Sequence, residues 1–363
     1  MIPAKYYYIV YLIIVTIVTL VHVISYISNS ADVNNSRKGN SWSALIFTVL
    51  MIIFVAVRPI SYVFGDMPTY AYAMLNHRYE DMQITWDSNF LFVPMMAWLS
   101  SMNASMQTPI VLLSIINFGC TFLAMRKMFP EDTMMAMIVF FGAFCTFGGA
   151  VNGLKAGCAS ALFLVAIAYR EKKIVSILFL VFSMGFHHSM QIPIIAYLSC
   201  SFVKNTKVYL AIWLVCLILA IAHVTSFMAL FASYTDEKGA DYLLTMAHSI
   251  ESSFSGKIGF RYDFVLYSIV PIVLGYITLF RKNLISEEYS FMINYYLITN
   301  AIWMLCMYAQ YTNRIAGLSW IMYPVLIIYP FMKLNWGNNR SRILRLMVLG
   351  HLSFTLAMNF IYY

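Results

Sequence analysis

Runs of uncharged, apolar residues long enough to fill a bilayer recur along this chain roughly every 25 to 40 residues. No other feature restricts its fold so strongly. Backbone placed in hydrocarbon must satisfy its own hydrogen bonds, so such runs are expected to be helices. Only 10% of the 363 residues are charged and 61% are hydrophobic, against about 25% charged in a soluble domain. The first run, Tyr8–Ile27, is too long for a signal-peptide core and lacks a small-residue cleavage site, so it reads as a retained span.

Further apolar stretches cover 43–57, 108–125, 134–151, 154–169, 174–187, 189–203, 208–224, 264–280, 290–309, 315–332 and 344–361. The expected fold is an all-α integral membrane protein with about twelve transmembrane helices, forming one polytopic domain over residues 1–363. The run 89–102 contains Pro94 and is too short to cross, so it is expected to be an outer juxtamembrane helix.

Cations fix the orientation. Arg37, Lys38, Arg126, Lys127, Arg170, Lys172, Lys173, Lys204, Lys207, Arg281, Lys282, Lys333, Arg340, Arg342 and Arg345 fall in alternate connections. Assigned to the cytoplasm, these connections hold 15 of the 23 Lys and Arg residues but 6 of the 15 Asp and Glu. The net charge of +8 is therefore a topology signal, and a nucleic-acid partner is not expected. Both termini and two longer segments, 58–88 and 225–263, then lie outside. The six cysteines sit singly in apolar runs, without the spacing of a disulfide framework or a zinc site.

The outer side collects the polar residues that interrupt the apolar pattern. They are Arg58, Tyr62, Asp66 and Tyr70 in R58-P-I-S-Y-V-F-G-D-M-P-T-Y70; Asn152 and Lys155 in N152-G-L-K-A-G157; His187 and His188 in F186-H-H-S189; and Arg314 in Y311-T-N-R-I315. Each has a plain alternative. Arg58, Lys155 and Arg314 suit interfacial anchors, and Asp66 suits a helix cap ahead of Pro68. Histidines at a helix end are ordinary, and tyrosines collect at membrane interfaces. Arg261 and Asp263 are placed to pair with one another. Segment 225–263 reads either as a lid over a sugar groove, with an amphipathic pattern at Asp241–His248, or as a plain loop. Taken together, three cations at outer span boundaries suit a diphosphate, with Asp66 or a histidine as a base.

In the order and spacing of these four stretches the chain resembles the EpsG family of bacterial polysaccharide-synthesis proteins, relatives in role of the Wzy O-antigen and capsule polymerases. The resemblance covers roughly residues 8–332. It departs at Lys155 and Ala156, where the family carries arginine and glutamine, so the charge is kept but the bidentate geometry is lost.

The resemblance implies a polysaccharide polymerase in the bacterial inner membrane, with a periplasmic active site. Such an enzyme joins undecaprenyl-diphosphate-linked oligosaccharide repeat units, in an architecture resembling the glycosyltransferase C superfamily. A lipid-linked donor and acceptor, membrane lipid, a chain-length-regulating protein and a flippase are the expected partners. No cofactor or metal is expected. The catalytic set would be Asp66 as first-choice base, His187 as second choice, and Arg58 and Arg314 on the diphosphate; Lys155, Asn152, Tyr62, Tyr70, His188 and Arg261 would bind substrate. Three rival classes remain at the sequence level: a transporter or flippase of a lipid-linked saccharide, a membrane acyltransferase, and a structural subunit of a polysaccharide-export complex. The first needs polar residues at mid-membrane, which here are few and uncharged; the second lacks a buried partner for its histidine.

Overall fold

Apolar runs with few charges fold into helix after helix, since backbone in hydrocarbon must bond to itself, and prolines such as Pro271 and Pro330 are accommodated inside helices. The computed structural model describes residues 2–28, 41–85, 89–232, 259–309 and 311–362, and no strand occurs among them. Arg37, Lys38 and the Asp241–His248 pattern lie outside the described residues. The helices are α1 Tyr7–Ser28, α2 Ser41–Ala56, α3 Met67–Leu75, α4 Phe92–Ser101, α5 Gln107–Met128, α6 Thr133–Phe141, α7 Thr146–Val151, α8 Leu154–Ala168 and α9 Lys173–Phe186. They continue with α10 Gln191–Phe202, α11 Thr206–Ile221, α12 Phe227–Ala232, α13 Tyr262–Tyr276, α14 Glu287–Leu305, α15 Thr312–Trp320, α16 Tyr323–Lys333 and α17 Arg340–Tyr362.

Five stretches are long and apolar enough to cross a membrane: Ala4–Ser25, Gln107–Met128, Tyr262–Arg281, Thr312–Lys333 and Arg340–Phe360. The chain is thus built as a multi-pass membrane protein. The other apolar helices, including α2, α8, α9 and α11, have 10–17 residues, short of the ~20 that a straight crossing takes. Five spans by length, rather than about twelve, is the count among the described residues. Helix α4 has 10 residues, about 15 Å of axis, and is too short to cross. The run 134–151, expected as one span, is two helices, α6 and α7. Gly142 ends the first, and Thr146 Oγ1 donates to the Phe140 carbonyl at 2.6 Å, so a carbonyl freed by the break keeps a partner.

The chain divides into two compact units, Met1–His187 with Gly337–Tyr363, and His188–Trp336. In the first, α5 packs on α2 and α8, α8 on α9, and α1 on α6 and α17. Tyr11 donates to the Phe141 carbonyl at 2.7 Å and the His351 ring meets the Val139 carbonyl at 3.1 Å, tying α1 and α17 to α6. Because α2 and α9 end where α5 and α8 begin, Arg58, Gln107, Lys155 and His187 come to one end of this unit. The other end holds Lys127, whose Nζ lies 5.9 Å from the Tyr169 ring, together with Arg126, Arg170, Lys172 and Lys173.

The second unit is locked by an interior polar knot. Asn300 Nδ2 donates to Ser268 Oγ (3.1 Å) and Ser319 Oγ (3.0 Å), while its Oδ1 accepts from Trp213 Nε1 (2.9 Å). Trp320 Nε1 donates to the same Ser268 hydroxyl at 2.8 Å. With these groups paired, burial of the amide is stabilising rather than costly. Helix α13 and the α15–α16 pair run in one direction and α14 returns. Arg261 and Arg314 therefore share one end, and Arg281 and Lys333 the other.

Candidate functional site

Arg58 follows α2 by two residues and is 0% exposed. Its Nη1 donates to the Val55 carbonyl at 2.5 Å and its Nη2 to the Ala150 carbonyl at 3.4 Å. The Phe64 ring lies 5.6 Å from the guanidinium carbon. Burial brings its pKa down to about 10, so the side chain stays charged at neutral pH. Its Nε has no hydrogen-bond partner among the described residues. Gln107, the first residue of α5, donates to the Ala56 carbonyl and, at 3.1 Å, to the Arg58 carbonyl. It thereby satisfies carbonyls that the end of α2 leaves open.

The Ala150 carbonyl gripped by Arg58 lies two residues before Asn152. Asn152 Oδ1 in turn accepts from the Asp66 amide at 3.1 Å. Between these contacts sits Gly65, with φ +64, where a Cβ would stand 2.2 Å from the same Oδ1. Only glycine fits, both for its backbone and for the space. The turns 58–70 and 152–155, remote in sequence, are thus clamped together by two polar contacts and a close approach. Asp66 occupies the cap position of α3, yet its carboxylate makes no capping bond there, and the residue is half-exposed.

Lys155, in the first turn of α8, holds its Nζ 6.0 Å from the Tyr70 ring and 5.8 Å from the Phe92 ring. Those rings meet edge-on at 5.6 Å, and Tyr79 packs on Phe92 at 6.1 Å. Burial pushes the Tyr79 phenol up to about 12, so it remains a neutral donor. The ammonium thus lies at cation–π reach of two ring faces. His187 closes α9 in extended backbone. Two residues earlier, the Gly185 carbonyl accepts the Leu91 amide at 2.8 Å, and a Cβ on Gly185 would lie 2.5 Å from Leu91. The helix end carrying His187 is accordingly packed on the segment that carries Phe92. Tyr62 stands on a 3-10 turn, 68% exposed.

Arg58, Tyr62, Asp66, Tyr70, Asn152, Lys155 and His187 all belong to the first unit, at one end of it. His188, Arg261 and Arg314 belong to the second. His188 is buried, its Nδ1 3.2 Å from Gln191 Nε2. Arg261 forms the pair expected with Asp263, Nε to Oδ1 at 2.9 Å and Nη2 to Oδ2 at 2.6 Å, both side chains 5% exposed. Its guanidinium also lies on the Phe264 ring at 3.7 Å. Arg314 is exposed, its guanidinium 4.9 Å from the ring of Tyr311, which takes a left-handed φ of 50.

Three contributors carry no signal of their own in the sequence: Gln107, Phe92, and a polar cluster at the ends of α3 and α4. In that cluster Ser100 Oγ donates to the Met74 carbonyl (2.7 Å) and lies 3.1 Å from His77 Nδ1; the same nitrogen is 2.7 Å from Glu80 Oε1. Serine and carboxylate share one ring nitrogen, so the three do not form a relay of the nucleophile–histidine–acid kind. The hydrogen bond from His77, helped by Ser100, holds the Glu80 carboxyl below its usual range.

A family model described as the EpsG family matches residues 41–363, which include every candidate residue above. No curated protein and no solved structure matches the chain.

Proposed function

We propose that this chain, which belongs to the EpsG family, is a glycosyltransferase that polymerises undecaprenyl-diphosphate-linked oligosaccharide repeat units on the outer face of the inner membrane. The observation that carries this reading is the clamp between two turns. Asp66 sits on Asn152, Arg58 holds the same turn by Ala150, and Lys155 opens the helix that follows.

The acceptor hydroxyl oxygen attacks the anomeric carbon of the donor. The bond from that carbon to the diphosphate breaks, and the lipid diphosphate leaves with the electron pair. The hydroxyl proton passes to Asp66, or to His187 as second choice. Lys155 meets the leaving diphosphate directly. Arg58 has two nitrogens on backbone carbonyls and keeps Nε for a phosphate oxygen, so a bidentate grip would require it to release one carbonyl. Asn152 holds the Asp66 backbone, and Tyr62 and Tyr70 offer ring faces to sugars. The two cations and the positioning they impose supply the rate enhancement.

The test is reconstitution of the pure protein with lipid-diphosphate repeat units, read as a ladder of lengthened glycans. Asp66→Asn should cut chain growth by a factor of roughly 10² to 10⁴. Near-normal growth in both Asp66→Asn and His187→Ala would remove this mechanism. Flux of labelled lipid across the bilayer without chain growth would replace the polymerase by a transporter.

A further inference from the structure

Five helix ends of the second unit meet at the end away from Arg261 and Arg314, and they bring Lys204, Lys207, Arg281, Lys282 and Lys333 with them. Side-chain contacts tie Lys204, Lys207 and Lys282 to the neighbouring helix ends. Lys204 Nζ bonds Glu287 Oε1 at 2.8 Å, and Asn294 Nδ2 donates to the Lys204 carbonyl at 3.3 Å. Lys207 Nζ lies 5.9 Å from the Phe280 ring, and Lys282 Nζ lies 4.9 Å from the Trp336 ring, which packs on Phe331. Glu288 accepts from Tyr329 at 2.6 Å.

Two features set this surface apart from a band of solvated anchoring lysines. Both carboxylates near it, Glu287 and Glu288, already have partners, which leaves cations in excess. Large apolar side chains also stand out among the cations: Phe202 is 85% exposed, Ile285 84% and Val203 45%. A soluble anion has no use for those apolar groups. A phospholipid uses both, since its phosphate meets the cations while its glycerol and upper acyl carbons cover Ile285 and Phe202.

We propose that this end of the second unit is a binding site for an anionic phospholipid of the surrounding bilayer, with Lys207, Arg281 and Lys282 on the headgroup phosphate and Ile285 and Phe202 against the acyl region. The proposal does not depend on the reaction above, because none of these residues takes part in it.

The experiment titrates detergent-solubilised full-length protein with phosphatidylglycerol and reads the rise in melting temperature. The wild type should rise in a saturable way, with little response to phosphatidylcholine. The K207Q/R281Q/K282Q variant should melt as the wild type does without lipid, yet need on the order of 100-fold more phosphatidylglycerol, since each basic side chain at an anionic surface counts for a factor of about five. The charge-preserving K207R/K282R variant should respond like the wild type. Ile285→Ser, at a largely exposed position, should weaken the response while leaving the lipid-free melting point unchanged. An equal response to both lipids, or an undiminished response in the triple glutamine variant and in Ile285→Ser, would overturn the proposal. So would inorganic phosphate reproducing the effect at equal concentration, which would make the site one for free anions.

Discussion

Gly65 and Arg58 make the sharpest claims at the scale of single residues. At Gly65 a positive φ and the Asn152 side chain act together, so Gly65→Ala suffers twice. The backbone alone, at φ 64 and ψ −120, costs about 1–3 kcal/mol, and the clash adds to it. We expect a drop of several degrees in melting temperature and loss of chain growth. Asn152→Ala in the same chain should recover part of the stability, because it removes the obstructing atom but not the strained φ; such coupling between neighbours is what a double-mutant cycle isolates. Fully additive effects would show that the two side chains do not meet. Arg58 poses the opposite case. A buried charge is expensive to desolvate, which offsets part of the cost, about 1–3 kcal/mol each, of leaving the Val55 and Ala150 carbonyls without their donor. Arg58→Met should therefore lower the melting point only moderately while reducing chain growth by about 10²-fold or more. Stability and activity falling in step would make Arg58 a structural residue only. The polar members of this site were legible in the sequence because charges are rare in the chain. Phe92 was not, being one of 27 phenylalanines, and no local pattern announces which ring will lie under an ammonium.

Elements were legible at several places where an apolar run ends at polar residues, although the run 315–332 is divided between Thr312–Trp320 and Tyr323–Lys333. The stretch 43–57 became Ser41–Ala56, and 154–169 became Leu154–Ala168. The reading failed inside 134–151, where Gly142 and the hydroxyl of Thr146 break the helix without any change in hydropathy. That break depends on a side chain finding a freed carbonyl, which is a three-dimensional event. Its consequence is the close passage of α7 along α8. A Cβ on Gly157 would lie 2.1 Å from the Gly149 carbonyl oxygen, and one on Gly149 no nearer than 3.8 Å to Gly157. The two glycines face each other, yet they should not respond alike. Gly157→Ala must push backbone away from backbone, so a loss of about 1–3 kcal/mol is expected, with displacement of Lys155 and loss of activity. Gly149→Ala should cost no more than its neighbours allow and keep activity. Equal tolerance of both, measured by melting point and glycan ladder, would contradict the packing of these helices.

For the whole molecule, the alternation of basic and candidate residues along the chain becomes, in each unit taken by itself, a separation between two ends. In the first unit Asp66 and Lys155 stand opposite Lys127 and Arg170; in the second, Arg314 stands opposite Lys282. Charge statistics anticipated this because positive side chains are held back from translocation, a constraint on sequence that acts before tertiary packing exists. The number of full crossings was less legible, since several helices stop at 10–17 residues and hydropathy does not reveal how turns complete the passage. Orientation is therefore best tested by chemistry on the intact cell. Cys120 and Cys145 are partly buried and the other four cysteines buried, so a cysteine-free background is a modest change to the core. Into it go single cysteines at exposed positions, Thr69→Cys and Glu171→Cys in the first unit, Asn313→Cys and Ile285→Cys in the second. A membrane-impermeant maleimide should label Thr69→Cys and Asn313→Cys in intact cells, and Glu171→Cys and Ile285→Cys only after permeabilisation. Like behaviour of the two positions within one unit would sink the separation of its ends. The reverse pattern, with Glu171→Cys and Ile285→Cys labelled first, would place the clamp of Asp66 and Asn152 on the cytoplasmic side, where a lipid-linked repeat unit already carried across the membrane could not reach it.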